Sequence, residues 1–421
     1  MDFDTVSGVL MAFAYYYPLF MSYVWMSGGI YYRFHWEEAG LSLGEFDRLE
    51  PIPGVSIIVP CFNEEAHINE TVGQLLKTEY SNYEIILVND GSTDNTAEII
   101  DQLQAGHPEV RVIHITENSG KANALNMGAV VSKNDILICI DGDALLDEYA
   151  VSSLVKHFIY SPRVGAVTGN PRIRNRSTLL GKIQVGEFSS IIGLIKRAQR
   201  IYGRVFTVSG VVTAFRKSAL QRIGFWRSDT TTDDIDVSWR LQLDHWDIRY
   251  EPNALCWILM PETYRGLWKQ RLRWAVGGAQ AAMFYMDQVM QWKSRRMWMV
   301  FLEYWLSVLW SYILALIIIL WVLGKFIALP DQLYIASLIP GWHGLVLGAT
   351  CLMQFFVSLL IDSRYESKLI KYFFWIVWYP IAYWMINVFT TVVALPRACL
   401  IGRKKTGTWN SPDRGFRSDE P

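Results

Sequence analysis

Hydrophobic positions fall into two patterns: long uncharged runs towards both ends, and short apolar runs alternating with polar loops and amphipathic stretches between them. Residues 5–32 contain no charge, enough chain to cross a bilayer. Asp2 and Asp4 precede this run and Arg33 and His35 follow it. A signal peptide would begin basic and end at a small-residue cleavage site, so the run reads as a retained anchor. The positive-inside bias then puts the amino terminus outside and the chain after Arg33 in the cytoplasm. Three further apolar runs, 304–324, 342–361 and 372–395, have spanning length, and Lys293, Arg295 and Arg296 mark the cytoplasmic edge of the first. The last is flanked by basic residues on both sides and carries Pro380, which suits a kinked span or a re-entrant hairpin.

Between these runs the period changes. Val55-Ser56-Ile57-Ile58-Val59 predicts a buried strand stopped by Pro60, followed by the loop Cys61-Phe62-Asn63-Glu64-Glu65 and a helix to Thr78. Strands are expected at 84–88, 110–115 and 136–140, with helices through Ile99-Ile100 (capped by Asp94 or Ser92) and over 121–131. Such alternation predicts a doubly wound, mostly parallel sheet with ligand loops at the strand carboxyl ends. Residues 165–172 read as another strand and loop, and 205–215 are apolar around Ser209-Gly210, where backbone can approach a sugar or a strand can bend. Residues 180–201 show helical spacing and end in Lys196, Arg197 and Arg200; the helix faces either the membrane surface or the core.

Candidate chemistry gathers at the predicted strand ends. Asp141 and Asp143 share one side of a strand end, with Gly142 leaving backbone room between them. Two such carboxylates repel unless a cation lies between them, and hard oxygen ligands suit Mg²⁺ or Mn²⁺ carried on a diphosphate; a solvated turn is the plain alternative. Asn63/Glu64 and Asp90 end two more strands, so three loops on one rim suggest a nucleotide site. There is no P-loop lysine motif and no dinucleotide fingerprint, which leaves the phosphates to a metal, to Lys121 or to a basic group further on. Asp233, Asp234 and Asp236 open a helix and exceed what capping needs; the general base is assigned to Asp234. Gln270, Arg273 and Trp274 stand at i, i+3 and i+4 on one helical face, able to stack on a sugar and hold a departing diphosphate. An amphipathic surface helix would instead put Lys269, Arg271 and Arg273 beside lipid headgroups.

Composition adds bounds. With 421 residues, 51% hydrophobic and 14% aromatic, the chain reads as a membrane enzyme with a water-facing part. A net charge of −1 gives no support for nucleic-acid binding. Five widely spaced cysteines fit no zinc or disulfide pattern and read as small core residues in a reducing cytoplasm.

The ordered set Pro60-Cys61-Phe62-Asn63-Glu64, Asn89-Asp90-Gly91-Ser92, Gly120-Lys121-Ala122-Asn123-Ala124-Leu125-Asn126, Asp141-Gly142-Asp143, Thr232-Asp233-Asp234 and Gln270-Arg271-Leu272-Arg273-Trp274 resembles the processive family 2 glycosyltransferases, including cellulose, chitin and hyaluronan synthases. Thr168-Gly169-Asn170-Pro171-Arg172-Ile173-Arg174-Asn175, Ile361-Asp362-Ser363-Arg364-Tyr365-Glu366 and Ser411-Pro412-Asp413-Arg414-Gly415 are similar to the bacterial branch that builds biofilm exopolysaccharide from β-1,6-linked N-acetylglucosamine. The resemblance implies an α/β GT-A fold, a Rossmann-like mixed sheet in the cytoplasm joined to transmembrane α-helices. It divides the chain into an anchor (1–34), a connector (35–53), a GT-A domain (54–264), interfacial helices (265–300), C-terminal membrane helices (301–400) and a polar tail (401–421). It implies UDP-N-acetylglucosamine as donor and a growing polysaccharide as acceptor. Asp90 would read the uracil with Asn63 and Glu64 in a pocket bounded by Pro60 and Lys121. Asp141 and Asp143 would hold Mg²⁺ or Mn²⁺ and the diphosphate. Asp234 would be the base, with Gly210, Asp233, Gln270, Arg273 and Trp274 around donor and acceptor. The family usually has Glu at the position of Asp233, and the acidic run leaves a register slip to Asp233 or Asp236 open. The resemblance further implies a multi-pass enzyme of the bacterial inner membrane, in contact with lipid and a small membrane-protein subunit, that couples synthesis to export. Another polysaccharide synthase, or an inactive nucleotide-sensing membrane partner, are the alternative readings.

Overall fold

A computed structural model of the chain describes residues 4–37, 52–159, 161–338, 341–377 and 379–402. Most of the expected connector, nearly all of the polar tail and the segment Ser411-Pro412-Asp413-Arg414-Gly415 lie outside the described residues. Eight strands, β1 Val55–Cys61, β2 Tyr83–Asp90, β3 Val110–Ile115, β4 Ile136–Ile140, β5 Leu145–Leu146, β6 Val164–Ile173, β7 Val212–Arg216 and β8 Asp247–Ile258, make one sheet in the order β3-β2-β1-β4-β7-β6-β8-β5. Strands β1 to β4 are parallel, β7 is antiparallel to both neighbours and β5 is antiparallel to β8, so the sheet is mixed.

The central strands are apolar at every step because both sheet faces are covered. Ile57, Val59, Ile85, Leu87 and Ile138 pack on one side with the helices Ile68–Leu75 and Ala150–Ile159. Ile58, Ile86, Val88, Leu137 and Cys139 pack on the other with Lys121–Val131 and Asp233–Leu243. From β1 the chain steps outward to β2 and β3, then returns to the opposite side of β1 as β4. Loops that part in opposite directions leave a crevice at the β1/β4 carboxyl ends.

Several expectations shift in detail. β1 continues through Pro60 to Cys61: Pro60 lies beyond the last β1–β4 pair, Ile58↔Cys139, so its missing N–H removes no bond from that ladder. The region 205–215 is a loop up to Val211 and a strand only from Val212. The helical stretch after Thr178 divides into Leu179–Phe188, a π-helical segment Ser189–Ile195 and Lys196–Tyr202. Lys196, Arg197 and Arg200 on it are buried, which answers the open question in favour of the core.

Among the described residues three helices are long and apolar enough to cross a membrane: Val6–His35, Trp292–Leu323 and Trp342–Asp362. The last apolar region is a short helix, Phe373–Ile376, followed by one continuous helix, Tyr379–Ile401, with no hairpin inside it. Pro380 falls in the first turn of that helix, where a missing N–H costs no helical bond.

A seam of buried ion pairs joins these helices to the sheet. The Arg197 guanidinium binds Glu37, just past the first spanning helix, and Asp362, the last residue of the third, at 2.9 Å. Arg172 on β6 also reaches Asp362, at 3.0 Å, and Arg176 pairs with Glu366.

Candidate active site

The crevice is built by the ends of β1 and β4. A Cβ on Gly142 would lie 3.0 Å from Glu64 Cγ and 3.4 Å from the Pro60 carbonyl oxygen, so glycine permits this close approach. Thr71 Oγ1 donates to the Gly142 carbonyl at 2.8 Å and fixes the turn. Asp141 keeps partial exposure, while Asp143 is buried to 9% exposure.

Lys121 opens the helix Lys121–Val131 and spans the crevice: its Nζ donates to Asp141 Oδ1 and, at 3.1 Å, to the Gly210 carbonyl. Burial disfavours the charge of this ammonium, but Asp141, Asp233 and Asp234 outweigh it and keep the group protonated well above the ordinary lysine range. Acids from β4 and from the helix Asp233–Leu243 thus converge on one cation. Asp234 sits in that helix's first turn, its Oδ1 accepting from the Ile235 N–H at 2.9 Å. Burial first, and then the Asp233 carboxylate, push Asp234 up to about 6, against the pull of Lys121 and Arg273.

Other acids are held by partners within the protein. Both oxygens of Asp236 are held inside the protein, by Tyr285 Oη at 2.5 Å and Arg240 Nε at 2.7 Å, which disfavours a register slip of the base to this position. Asp90 is fully buried; it accepts from the Ser119 N–H at 2.9 Å, Ser119 Oγ at 2.8 Å and the Gly120 N–H at 2.8 Å, and so sets the turn that launches Lys121. Asn63 takes a left-handed φ of 55° and accepts from the Thr93 N–H at 2.8 Å, tying the β1 and β2 loops together. Glu64 is buried, with its backbone N–H donating to Thr96 Oγ1 at 2.8 Å.

The helix Tyr264–Phe284 divides its expected trio. Arg273 is exposed and within electrostatic reach of Asp234. Gln270 and Trp274 instead group around Arg271: the guanidinium donates to Gln270 Oε1 at 2.8 Å, lies 4.3 Å from the Trp274 ring and pairs with Glu187 at 2.7 Å. Arg271 is therefore buried and does not sit among headgroups, because Glu187 lies in the apolar interior opposite it. Gln280 on the same helix accepts from the Thr231 N–H at 3.1 Å and fastens the loop that precedes Asp234. Sequence reasoning missed Arg271 and Gln280 as organisers; the available signal was Glu187, a lone acid in an otherwise uncharged run.

Among the described residues no group of three or more His, Cys, Asp or Glu side chains is arranged to hold a metal. Asp141 and Asp143 supply two carboxylates at most, a donor set that fits a divalent ion whose remaining ligands are phosphate oxygens and water, as Mg²⁺ sites commonly are. They do not fit an all-protein cage.

A mixed sheet with a crevice at its switch point, crowded acids beside a lysine, and membrane-length helices tied to its edge define a membrane-attached transferase of the GT-A type. Residues 53–277 match the family described as glycosyltransferase like family 2, and the chain belongs to it. It is 41% identical over 412 residues to a poly-β-1,6-N-acetyl-D-glucosamine synthase of Staphylococcus epidermidis, covering 96% of this chain and 98% of that one. A protein of the same name from Staphylococcus aureus (strain COL) is 41% identical over 407 residues, with the same coverage. Among solved structures, a mannosyltransferase of Pyrobaculum calidifontis in complex with GDP-mannose and Mn²⁺ aligns with a TM-score of 0.56 at 17% identity, covering 93% of this chain and 99% of that one, a likeness of fold.

Proposed function

We propose that the protein is a processive, inverting synthase that polymerises N-acetylglucosamine from UDP-N-acetylglucosamine into a β-1,6-linked polysaccharide at the cytoplasmic face of a bacterial inner membrane. The observation that carries this is the meeting of Asp141, Lys121 and Asp234 at the sheet's switch point, in a chain alike from end to end to synthases of that polymer. In this reading Asp234 takes the proton from the acceptor hydroxyl while that oxygen attacks the anomeric carbon on the face opposite UDP; one displacement turns an α-donor into a β-product. Lys121 and Arg273 keep Asp234 ionised. Pro60, Asn63, Glu64 and Asp90 frame the nucleotide, Asp90 through the Ser119–Gly120 turn and its remaining lone pairs. Gly210, Asp233, Gln270 and Trp274 border donor and acceptor. Asp141 and Asp143 would hold Mg²⁺ or Mn²⁺, which when bound supplies positive charge to the departing diphosphate.

Export is supported by a cavity of about 290 Å³ among the three membrane-length helices, the segment Ser189–Ile195 and the helices Tyr264–Phe284 and Tyr379–Ile401, with Tyr17, Trp25, Tyr304, Trp310, Gln354 and Asn387 on its wall. Aromatic faces and amide groups are surfaces along which a sugar chain can slide. A small membrane-protein subunit and lipid would complete the assembly.

The test is incubation of the purified enzyme with UDP-N-acetylglucosamine, with Mg²⁺ or Mn²⁺ added and then removed by chelation, followed by linkage analysis. Metal-dependent release of UDP with a β-1,6-linked polymer is the expected result. A different linkage, or polymer formed at full rate after chelation, overturns the corresponding part of the proposal.

A further inference from the structure

Lys196 is 5% exposed, on the first turn of the helix Lys196–Tyr202. Its neighbours on this seam, Arg197 and Arg172, each meet a carboxylate directly. Lys196 does not: among the described residues its hydrogen bond is a 3.3 Å contact to the neutral Thr168 Oγ1, and no carboxylate lies within ion-pair distance. A buried ammonium held this way is costly, and a residue with only a packing role would be apolar or paired.

What surrounds it explains the charge. Thr168 Oγ1 also accepts from the Ser209 N–H at 2.8 Å, so Lys196 braces the Ser209–Gly210 turn from behind. That turn faces the acid: a Cβ on Gly210 would lie 3.3 Å from Asp234 Oδ2. Lys196 and Asp234 feel each other electrostatically, and burial pulls the lysine down to about 7 while Asp234 holds it up. Ile195, the preceding residue, lines the cavity between the membrane-length helices.

We propose that Lys196 is a positioning residue for the transfer step: through Thr168 it fixes the Ser209–Gly210 turn against Asp234, and its ammonium favours the carboxylate form of that acid. The inference rests on the reading of Asp234 as the base. Asp234 is also faced by Asp233 on its own helix, by Lys121 with Asp141 beyond it, and by Arg273, so Lys196 adds to an existing field.

The experiment compares Lys196→Met, Lys196→Arg and Asp234→Asn in the full-length enzyme, measuring kcat, KM for UDP-N-acetylglucosamine, melting temperature and the pH profile. Lys196→Met is expected to lower kcat about tenfold or more with donor KM unchanged, and to move the acid limb of kcat upwards. Lys196→Arg restores most of kcat and the position of the limb, and neither variant melts lower than wild type. Wild-type kcat in Lys196→Met, or equal losses in both variants with an unmoved limb, overturns the proposal. Activity retained by Asp234→Asn would instead remove the base assignment, and is read separately.

Discussion

The chain concentrates charge in two places, the crevice at the strand ends and the seam between the sheet and the membrane-length helices. In the seam each acid is closed by a cation: Arg197 with Glu37 and Asp362, and Arg271 with Glu187, all with side chains at most 4% exposed. In the crevice Asp141, Asp233 and Asp234 crowd around Lys121 with Arg273 nearby, acids in excess of cations. Charge that is closed on itself joins elements. Charge left in excess awaits a cationic ligand or a proton, and that difference separates scaffold from chemistry here.

The sharpest break of this comparison is to neutralise one acid in each place. Asp234→Asn is expected to cut polymer formation by roughly 10²–10⁴-fold, the span of general-base contributions, while the melting temperature stays level or rises, since a desolvated carboxylate is removed. Arg197→Met should do the opposite. It removes the partner that Glu37 and Asp362 share and leaves Asp362 to Arg172 alone, a defect worth at most about 3–5 kcal/mol for a broken buried pair, read as a lower melting temperature in detergent and loss of activity only as the fold is lost. If Arg197→Met were stable but inactive, the seam would have to be counted with the site.

How much of this was legible in the sequence follows from what each feature depends on. The strands 110–115 and 136–140 and the helix 121–131 emerge at the predicted positions because local periodicity and burial on both faces agree there. The crevice was legible as well, since acids at strand ends must reach the same rim of a parallel sheet. Antiparallel β7 was not, because its placement depends on pairing with β4 and β6 rather than on its own pattern. The seam was hidden for the same reason. Thr168–Asn175 and Ile361–Glu366 stood out only as marks of resemblance; three-dimensional pairing of Arg172 with Asp362 explains why both carry charge. The basic cluster Lys196, Arg197, Arg200 suited headgroups and core equally by pattern, because the partners of its arginines, buried Asp362 and half-buried Asp247, come from elsewhere in the chain.

A smaller effect sharpens the crevice side. Gly142→Ala puts a methyl 3.0 Å from Glu64 Cγ, tight enough that the neighbour must give by a few tenths of an ångström. Glu64 has a flexible stem, so the fold survives. The expected outcome is a rise of about tenfold or less in KM for the nucleotide sugar, with melting temperature unchanged. A large drop in melting temperature would make Gly142 a packing residue in place of a crevice one.

The smallest effect concerns pH, where the two places respond with opposite sign. Asp234 is raised to about 6 by burial and by Asp233, so its folded-state pKa lies above the unfolded carboxylate value near ~4. The stability tied to its protonated form is present below that unfolded value and lost as pH climbs through about 6. Activity runs the other way, because the base works only when ionised: kcat is expected to fall about tenfold per unit below pH 6, and Asp234→Asn should flatten the matching stability change. Glu251 supplies the contrast on the scaffold side. It is buried, and hydrogen bonding and charge from His157 and Lys156 overcome the burial penalty and depress it to about 2. Its contribution to stability is complete above the ordinary glutamate range and disappears only as pH falls towards 2. Between pH 7 and 5 the enzyme should therefore lose turnover while the fold holds, as followed by a rate profile and melting curves on one sample. Parallel loss of both would mean that the crevice acids and the scaffold acids do not differ in kind.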